Sequence, residues 1–398
     1  MKFKFLLFVG LAALFIACES DDTADIIIND NSVTNITNNA GGDPDSGSNT
    51  VNLSGVYTED LELDPAIEYI ITGPVLMADG TTLRIPAGMT IKAQPVGVNA
   101  FIAIQQGAQI DAVGTSSNPI VLTSNASSPS SGDWGGLVMC GRASINSTPD
   151  GSTDTATSEV GGLSYGGNVD ADNSGTVSYV RIEYAGGAID GNAELNGLSL
   201  YAVGSGTTID YVQIFEGSDD GVEFFGGTVN VSHVAVVNAE DDSIDWTEGY
   251  TGSLTDVYVQ HGPSHDKGFE CDGYNTDFSN ETGTFSAPTI TNVTVYGADD
   301  GGEAIRLRAG TQGLFNNVLI QFFNEGFDLD GDAGANPTGQ GVIDGLLGVS
   351  DVTFDNVDVK LKNDTGFMFL ESDFISGDGN GTGTDVATWG AGWTVGIN

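Results

Sequence analysis

The sequence has 398 residues, which is enough for one large domain or two ordinary ones. Its 57 glycines and its low charged fraction of 17% favour short strands and tight turns over long surface helices, and 39% hydrophobic residues can form a core. The net charge of −44 excludes a nucleic-acid backbone as the natural partner and argues against docking on an anionic membrane. Divalent cations, a cationic partner or a merely solvated acidic surface remain open.

Residues 1–17 predict a signal peptide. Lys2 and Lys4 precede an apolar stretch that is too short to span a bilayer. The stretch ends in LFIAC, residues 14–18, and this run resembles a bacterial lipobox. The ESDD run that follows resembles the surface-export signal of Bacteroidota lipoproteins. We therefore expect lipidation of Cys18 and an outer-membrane lipoprotein that is exposed at the cell surface.

Residues 18–55 are rich in Asn, Asp, Ser, Thr and Gly and have no sustained period. This composition predicts a lipidated, disordered tether. The body of the protein is then residues 56–398.

Two short motifs repeat along the body. The first, apolar-x-x-Val-x-Val, occurs for example as VSYVRI (177–182), IDYVQI (209–214) and VSHVAV (231–236). The second follows each copy, as in GLSL (197–200), GVEF (221–224), SIDW (243–246) and GFEC (268–271). Both alternate apolar and polar residues, and the shortest repeat is 22 residues, so each coil of a solenoid contains two strands. The chain is predicted to be all-β, a parallel β-helix whose ends are covered by caps, with Trp389 and Trp393 in the C-terminal cap.

A resemblance extends this prediction. The runs IPAGMTIKA (85–93), GTSSNPIVLTS (114–124) and GDWGGLVMCGRA (132–143) resemble the β-helix surface lipoproteins of Bacteroidota. More broadly, the chain resembles the pectin-lyase-like superfamily, which implies a right-handed parallel β-helix over roughly residues 75–370. That superfamily includes lyases, hydrolases, adhesins and passenger domains, so the fold alone leaves the activity open.

The central positions of the second motif are flanked by apolar residues, so alternation directs their side chains outward along one face. They are Ser199, Glu223, Asp245, Glu270, Arg306, Asp328 and Met368. A second acidic column is expected at the preceding turns, from Asp219, Asp220, Asp241, Asp242, Asp266, Asp299 and Asp300. Stacked strands lie about 4.8 Å apart, so these carboxylates repel one another unless something neutralises them.

Basic residues concentrate beside this ladder. Nine of the 11 basic residues remain when Lys2 and Lys4 are set aside, and Lys267, Arg306 and Arg308 are three of them. Two insertions leave from the turn after the ladder and are expected to wall a groove. The first insertion carries Tyr274, Phe278 and Phe285, whose rings can stack on sugars.

Two further features concern a loop and the cysteines. Asp170 and Asp172 alternate with small residues, which is typical of a Ca²⁺-binding loop but also of an ordinary Asx-rich turn. Cys140 and Cys271 lie far apart in sequence, and two separately buried thiols are favoured over a disulfide.

These patterns support three hypotheses. The first is an extracellular binding protein, with polysaccharide or another surface component as its partner. Its ligand-binding residues would be Glu223, Asp245, Glu270, Arg306, Asp328 and Tyr274. Its Ca²⁺ ligands would be Asp219, Asp220, Glu223, Asp241, Asp242, Asp245 and Glu270, with Asp170 and Asp172 in the loop.

The second hypothesis is an enzyme that acts on polysaccharide at the same face. A lyase would use Lys267, Arg306 or Arg308 as the catalytic base, whereas a glycoside hydrolase would use two carboxylates. The third hypothesis is a structural adhesin or spacer with a merely solvated acidic face.

Overall fold

The computed structural model describes residues 49–146, 155–190, 193–275, 284–298, 301–331 and 337–398. Cys18, Phe278, Asp299 and Asp300 lie outside these ranges, as does nearly all of the predicted tether. Within them, no helix is long and apolar enough to cross a membrane.

Parallel strands form three stacks, which we call sheets A, B and C. In the first coils, β1 (Thr50–Tyr57) and β3 (Glu68–Met77) each run through sheets B and C, while sheet A contains β2 (Leu61–Glu62), β4 (Thr82–Ile85) and β7 (Gln109–Val113). Sheet B continues with β5 (Thr90–Ala93) and β8 (Ile120–Ser124), and sheet C with β6 (Ile102–Ile104) and β9 (Leu137–Cys140). Two antiparallel hairpins project from the coils: β10 (Thr155–Thr157) with β11 (Ser164–Gly166), and β13 (Ala188–Asp190) with β14 (Ala193–Glu194).

The middle coils are the most regular. Sheets A and B share the strands β12 (Gly175–Glu183), β16 (Thr208–Phe215), β18 (Asn230–Val237), β20 (Ser253–Gln260) and β22 (Thr289–Tyr296). Sheet C contains β15 (Leu198–Tyr201), β17 (Val222–Phe225), β19 (Ile244–Thr247), β21 (Phe269–Asp272) and β23 (Glu303–Arg308). The last two coils, β24 (Gly313–Leu329) and β25 (Leu347–Asn363), pass through all three sheets, and β26 (Ile375–Ser376) adds to sheet A. This large parallel sheet is consistent with the predicted right-handed β-helix.

The first motif bends at its third residue, which corrects the expectation of two strands per coil. The residues at this corner adopt left-handed φ angles between 50° and 59°, and they are Tyr179, Tyr211, His233, Asp256, Asn292, Asn317 and Asp351. One left-handed residue turns the chain sharply, so each motif copy contributes a strand to sheet A and another to sheet B. The spacing of three between the first two apolar positions is the sequence signal for this bend, because an unbroken strand requires a spacing of two.

The core is a stack of inward-facing apolar residues. In the later coils it includes a run of buried rings, Trp246, Phe269, Phe315, Phe327 and Phe374, with neighbouring ring centroids 5.1–6.2 Å apart. Because each coil buries its inner face only against its neighbours, the coils stabilise one another in sequence.

The ends of the solenoid differ from the prediction. Strand β1 begins at Thr50, within the segment predicted as tether. The last coil is covered by α1 (Thr338–Ile343) and α2 (Glu371–Phe374), which bury Val342 and Phe374 in the core.

The predicted role of the C-terminal tryptophans was wrong. The tail, with α3 (Val386–Trp389), folds back over the outer face of sheet B instead of closing the last coil. Trp393 is 1% exposed and packs edge-on against Tyr179 and Tyr211. The outer face of sheet B carries apolar residues such as Val237, which the tail buries. Burial of this apolar surface stabilises the tail in that position.

Candidate functional site

The predicted ladder is present on the outer face of sheet C. Backbone pairing aligns Ser199, Glu223, Asp245, Glu270, Arg306 and Asp328 in successive strands. Alternation along each short strand therefore did predict the direction of these side chains.

Met368 is not in the ladder. The position after Asp328 is Lys362, because β25 continues without a turn and pairs Lys362 with Asp328. Met368 lies beyond the strand and is 95% exposed.

The second column lies one residue before each second motif. Backbone hydrogen bonds at this turn stack Asn196, Asp220, Asp242 and Lys267, since Gly197 N–H donates to Asp220 O, Gly221 N–H to Asp242 O and Ser243 N–H to Lys267 O, at 2.9–3.0 Å. Asp219 and Asp241 lie one residue further back, whereas Asp266 at the equivalent position is exposed. Asn196 therefore belongs to the second column. The aligned motifs place it there in the sequence, but it was not predicted to be a site residue.

The ladder and the second column together form one cavity of about 330 Å³, which we call the acidic cavity. Its lining consists of Glu159, Glu194, Asn196, Asp219, Asp220, Glu223, Asp241, Asp242, Asp245 and Glu270. Nine of these ten side chains are carboxylates, and among the described residues none of the lining is aromatic, histidine or cysteine. Such a lining offers only oxygen ligands and one amide.

The carboxylates approach one another closely enough to share cations. Oxygens of Glu194, Asp219 and Asp241 lie within 4.8 Å of one another. The same holds for Asp220, Glu223 and Asp245, a second triad that shares no residue with the first. Asp242, Asp245 and Glu270 form a further triad.

Burial and mutual repulsion hold protons on these carboxyls. Burial, together with the charges of Glu194 and Asp241, raises the pKa of Asp219 to about 8. Burial also raises the pKa of further cavity carboxyls well above their ordinary range, and neighbouring carboxylates add to it, in Asp220, Glu223, Asp242 and Asp245. Few neutral hydrogen-bond donors counteract this rise in pKa. Asn196 donates to Glu223 Oε2 at 2.7 Å, and Asp242 N–H donates to Asp220 Oδ1 at 3.0 Å. Without another cation, the cavity does not ionise fully at neutral pH.

The predicted basic cluster borders the cavity and is fully paired. Lys267 Nζ bonds to Asp266 and lies 3.2 Å from Glu270 Oε1. Arg308 bonds to Glu270 and, through Nε at 2.5 Å, to Asp272 Oδ1.

These ion pairs keep the bases protonated. Burial lowers the pKa of Lys267, but nearby carboxylates raise it by more, and the net shift is upward. The pKa of Arg308 is raised in the same way, chiefly by Asp272 against the effect of burial. Such groups are poorly suited to abstract a proton, which is what a lyase base must do.

Two hairpins contribute to the wall of the cavity. Glu159 lies in the turn between β10 and β11, and Glu194 lies at the end of β14. Glu248, which is 1% exposed, links the first hairpin to the insertion that follows β21: it accepts hydrogen bonds from Tyr165 OH at 2.8 Å and from Asn275 Nδ2 at 3.1 Å. Glu159 and Glu194 lie outside the repeats, so no aligned position in the sequence marked them.

The remaining predicted residues lie elsewhere. Tyr274 is half-buried and packs against Phe285, which is itself buried, with ring centroids 5.9 Å apart. Asp170 accepts hydrogen bonds from Ser144, and Asp172 accepts one from Arg142 N–H, so both tie down turns away from the cavity.

The two cysteines are separate. Cys140 and Cys271 are free and buried, which confirms the expectation of two buried thiols.

Residues 55–394 match the model of a protein family described as a pectate-lyase-like β-helix domain. No curated protein is significantly similar in sequence to the chain.

The solved structures that the chain resembles include GH87 α-1,3-glucanases. The catalytic unit of the thermostable enzyme from Streptomyces thermodiastaticus strain HF3-3 is 12% identical, with a TM-score of 0.36 and coverage of 82% of this chain and 66% of that one. A variant catalytic domain in complex with tetrasaccharides is 11% identical, with a TM-score of 0.31 and coverage of 83% and 62%. The chain thus spans just under two thirds of the length of these structures.

Proposed function

Because the chain belongs to the pectate-lyase-like β-helix family, and because its sheet C carries the acidic cavity, we propose that it is a cell-surface lipoprotein that binds an extracellular polysaccharide through Ca²⁺ held in that cavity. Cys18 would anchor it to the outer membrane, and residues 18–48 would separate the body from the lipid.

The observation that carries the proposal is the pair of independent carboxylate triads in one cavity. Ca²⁺ takes six to eight oxygen ligands, and carboxylates are its preferred protein donors. The donor set fits a hard cation, and a cation is also what allows these buried carboxyls to ionise together.

The cavity opens on the outer face of the solenoid, so ions held there retain coordination positions that point away from the protein. Hydroxyl and carboxylate oxygens of a polysaccharide can fill such positions. Since the described lining contains no aromatic ring, we expect affinity to depend on the cation rather than on stacking.

Glycoside hydrolysis is the second candidate. The observation that favours it is Asp219, whose raised pKa of about 8 keeps a proton at neutral pH beside carboxylates within 4.8 Å. A retaining glycosidase needs a protonated acid and an ionised nucleophile about 5–5.5 Å apart. The lyase alternative has less support, because Lys267, Arg306 and Arg308 are all ion-paired.

The test is Ca²⁺ titration by calorimetry of the wild-type protein and of Asp245→Asn. Among the described residues, Asp245 has no hydrogen bond or ion pair to lose, so the substitution removes an ionisable oxygen ligand and little else. We expect binding to weaken roughly tenfold or more. Asp344→Asn, which neutralises an exposed acid on α1's flank, is the charge-matched control and should bind like wild type.

Retention on immobilised polysaccharides, with Ca²⁺ and with a chelator, tests the ligand. Ca²⁺-dependent retention that Asp245→Asn abolishes supports the binding function. Release of new reducing ends from the retained polysaccharide supports hydrolysis, and release of unsaturated ends supports a lyase. If wild type shows no Ca²⁺ binding and no retention, the proposal is wrong.

A further inference from the structure

A second group of carboxylates lies on the same face, beyond the arginine rung that closes the acidic cavity. Glu303 on β23 pairs in register with Glu325 on β24, and Asp328 follows three residues later. One oxygen from each of the three lies within 4.8 Å of the other two. Arg306 stands between this triad and the acidic cavity in the ladder, because it is the residue between Glu270 and Asp328.

Two carboxylate oxygens of this triad accept no hydrogen bond from the described residues. Asp328 is 1% exposed, yet its Oδ1 receives no hydrogen bond from any residue that the structure describes. Glu303 Oε2 is likewise buried without a hydrogen bond from the described part of the chain. Arg306 Nε lies 4.0 Å from that oxygen but donates to Asp330 at 2.9 Å instead. Buried carboxylate oxygens are normally paired, so two oxygens without a hydrogen-bond donor in one triad require an explanation.

The neighbouring Lys362 does not account for the two oxygens that lack a donor. Lys362 Nζ lies 3.2 Å from Glu325 Oε2 and 3.2 Å from Asp328 Oδ2, so it serves the opposite oxygen of Asp328. When Arg306 is counted with Asp330, to which it donates, three carboxylates face one ammonium, which leaves an excess of two negative charges. Burial raises the pKa of Glu303 and of Asp328, as expected for acids that lack a sufficient counter-charge.

From these contacts we infer that Glu303, Glu325 and Asp328 form a second divalent-cation site, with Ca²⁺ as the ion that its all-oxygen donor set selects. A Ca²⁺ ion that lies 2.3–2.6 Å from each oxygen holds ligand oxygens up to about 5.2 Å apart, and the triad meets that limit. The ion takes the two oxygens without donors and offsets the charge that Lys362 leaves. Glu303 and Glu325 are each about a quarter exposed in their side chains, so solvent ligands can complete the coordination.

The experiment counts Ca²⁺ per chain by equilibrium dialysis in the intact protein, with calorimetry for affinity. Asp328→Asn and Glu303→Gln should each remove one bound ion, or weaken one site at least tenfold, and leave the sites of the acidic cavity unchanged. Glu303→Gln is the safer variant because Glu303 makes no close contact with Lys362. Asp364→Asn is the matched control: Asp364 lies 3.7 Å from the same lysine but outside the triad.

The outcomes separate this site from the proposed function. If Asp245→Asn loses ions and the two triad variants lose none, the second site is absent while the cavity proposal stands. If the triad variants lose an ion and Asp245→Asn loses none, the second site is present and the cavity proposal is wrong. Equal losses in Asp364→Asn and Glu303→Gln would also overturn the inference, because they would reflect general charge and not coordination.

Discussion

Lys267 is a cation that the chain itself supplies beside the acidic cavity. Its side chain is only 9% exposed, and its Nζ lies 3.2 Å from Glu270 Oε1 and 3.9 Å from Asp242 Oδ1. Replacing one partner of a buried ion pair leaves the other charge uncompensated, which is costly even where the pair itself adds little stability.

We therefore predict that Lys267→Met destabilises the protein by about 3–5 kcal/mol at pH 8 without Ca²⁺. The loss should be smaller at pH 5, where Asp242, whose pKa burial raises well above its ordinary range, takes up a proton. Chemical denaturation at both pH values measures the difference. Lys360→Met removes an exposed pair with Asp378 and should change stability little at either pH. Equal effects of the two substitutions would contradict a role for Lys267 as the internal counter-ion.

Residue-level prediction succeeded where the repeat carried the information. The strand period of two sets the face of Glu223, Asp245 and Glu270, and the motif spacing sets their register. It failed for Glu159 and Glu194, because the hairpins between coils have no repeated pattern from which to infer a position. It also failed for Met368, since backbone pairing places the second motif of the last coil at residues 361–363, within β25 and before Met368.

At the scale of elements, the bend between sheets A and B depends on a column of left-handed residues. Asn292 has φ 58° and links the column through its side chain: its Nδ2 donates to Asp256 Oδ1 at 3.2 Å, and its Oδ1 accepts from Asn317 Nδ2 at 2.8 Å. Asn tolerates this backbone region better than other non-glycine residues, whereas a β-branched residue is strained there.

Asn292→Val should lower the free energy of unfolding by about 2–3 kcal/mol, of which about 1–2 kcal/mol is backbone strain and about 1 kcal/mol is lost hydrogen bonding. Asn292→Gly keeps the conformation and should cost less. Asn316→Val is the matched control, because Asn316 loses a similar side-chain bond, to Ser350 Oγ at 2.7 Å, without a left-handed φ. Urea denaturation of the three variants distinguishes them. The explanation fails if Asn292→Val and Asn316→Val lose the same stability.

This corner also explains why the sequence indicated two strands per coil while the structure has three sheets. The alternation of VSYVRI is interrupted at Tyr179, and a single left-handed residue leaves no Gly or Pro to mark a turn. The fold class depends on the repeat alone, so it was accessible from the sequence, but the position of the bend depends on a backbone angle that residue types only weakly indicate.

At the scale of the whole molecule, the acidic cavity joins neighbouring coils. Its ladder carboxylates come from three successive rungs, those of Glu223, Asp245 and Glu270. Solenoid coils contact only their neighbours, so like charges stacked across three rungs oppose the stacking, and a cation bound among them would reinforce it. On the proposed function, we therefore expect cation binding and the stability of the solenoid to be coupled.

This coupling gives a pH dependence with a definite sign. Asp219 titrates near 3.9 in an unfolded chain, and burial and neighbouring carboxylates raise its pKa to about 8 in the folded protein. Between these values the folded state keeps a proton that the unfolded state has lost. Stability is then greatest near the lower value and decreases as the pH rises towards 8.

We accordingly expect the melting temperature in chelator to fall between pH 5 and pH 8. One such group contributes up to about 1.4 kcal/mol per pH unit, which corresponds to a decline of roughly 2 °C or more per unit. Saturating Ca²⁺ would replace the protons with a cation, so the melting temperature should then decrease less with pH. Asp219→Asn should also make the melting temperature depend less on pH, in this case without Ca²⁺. A melting temperature in chelator that stays constant or rises over this range would show that the cavity carboxyls ionise freely, and the coupling of charge, cation and coil stacking would then be wrong.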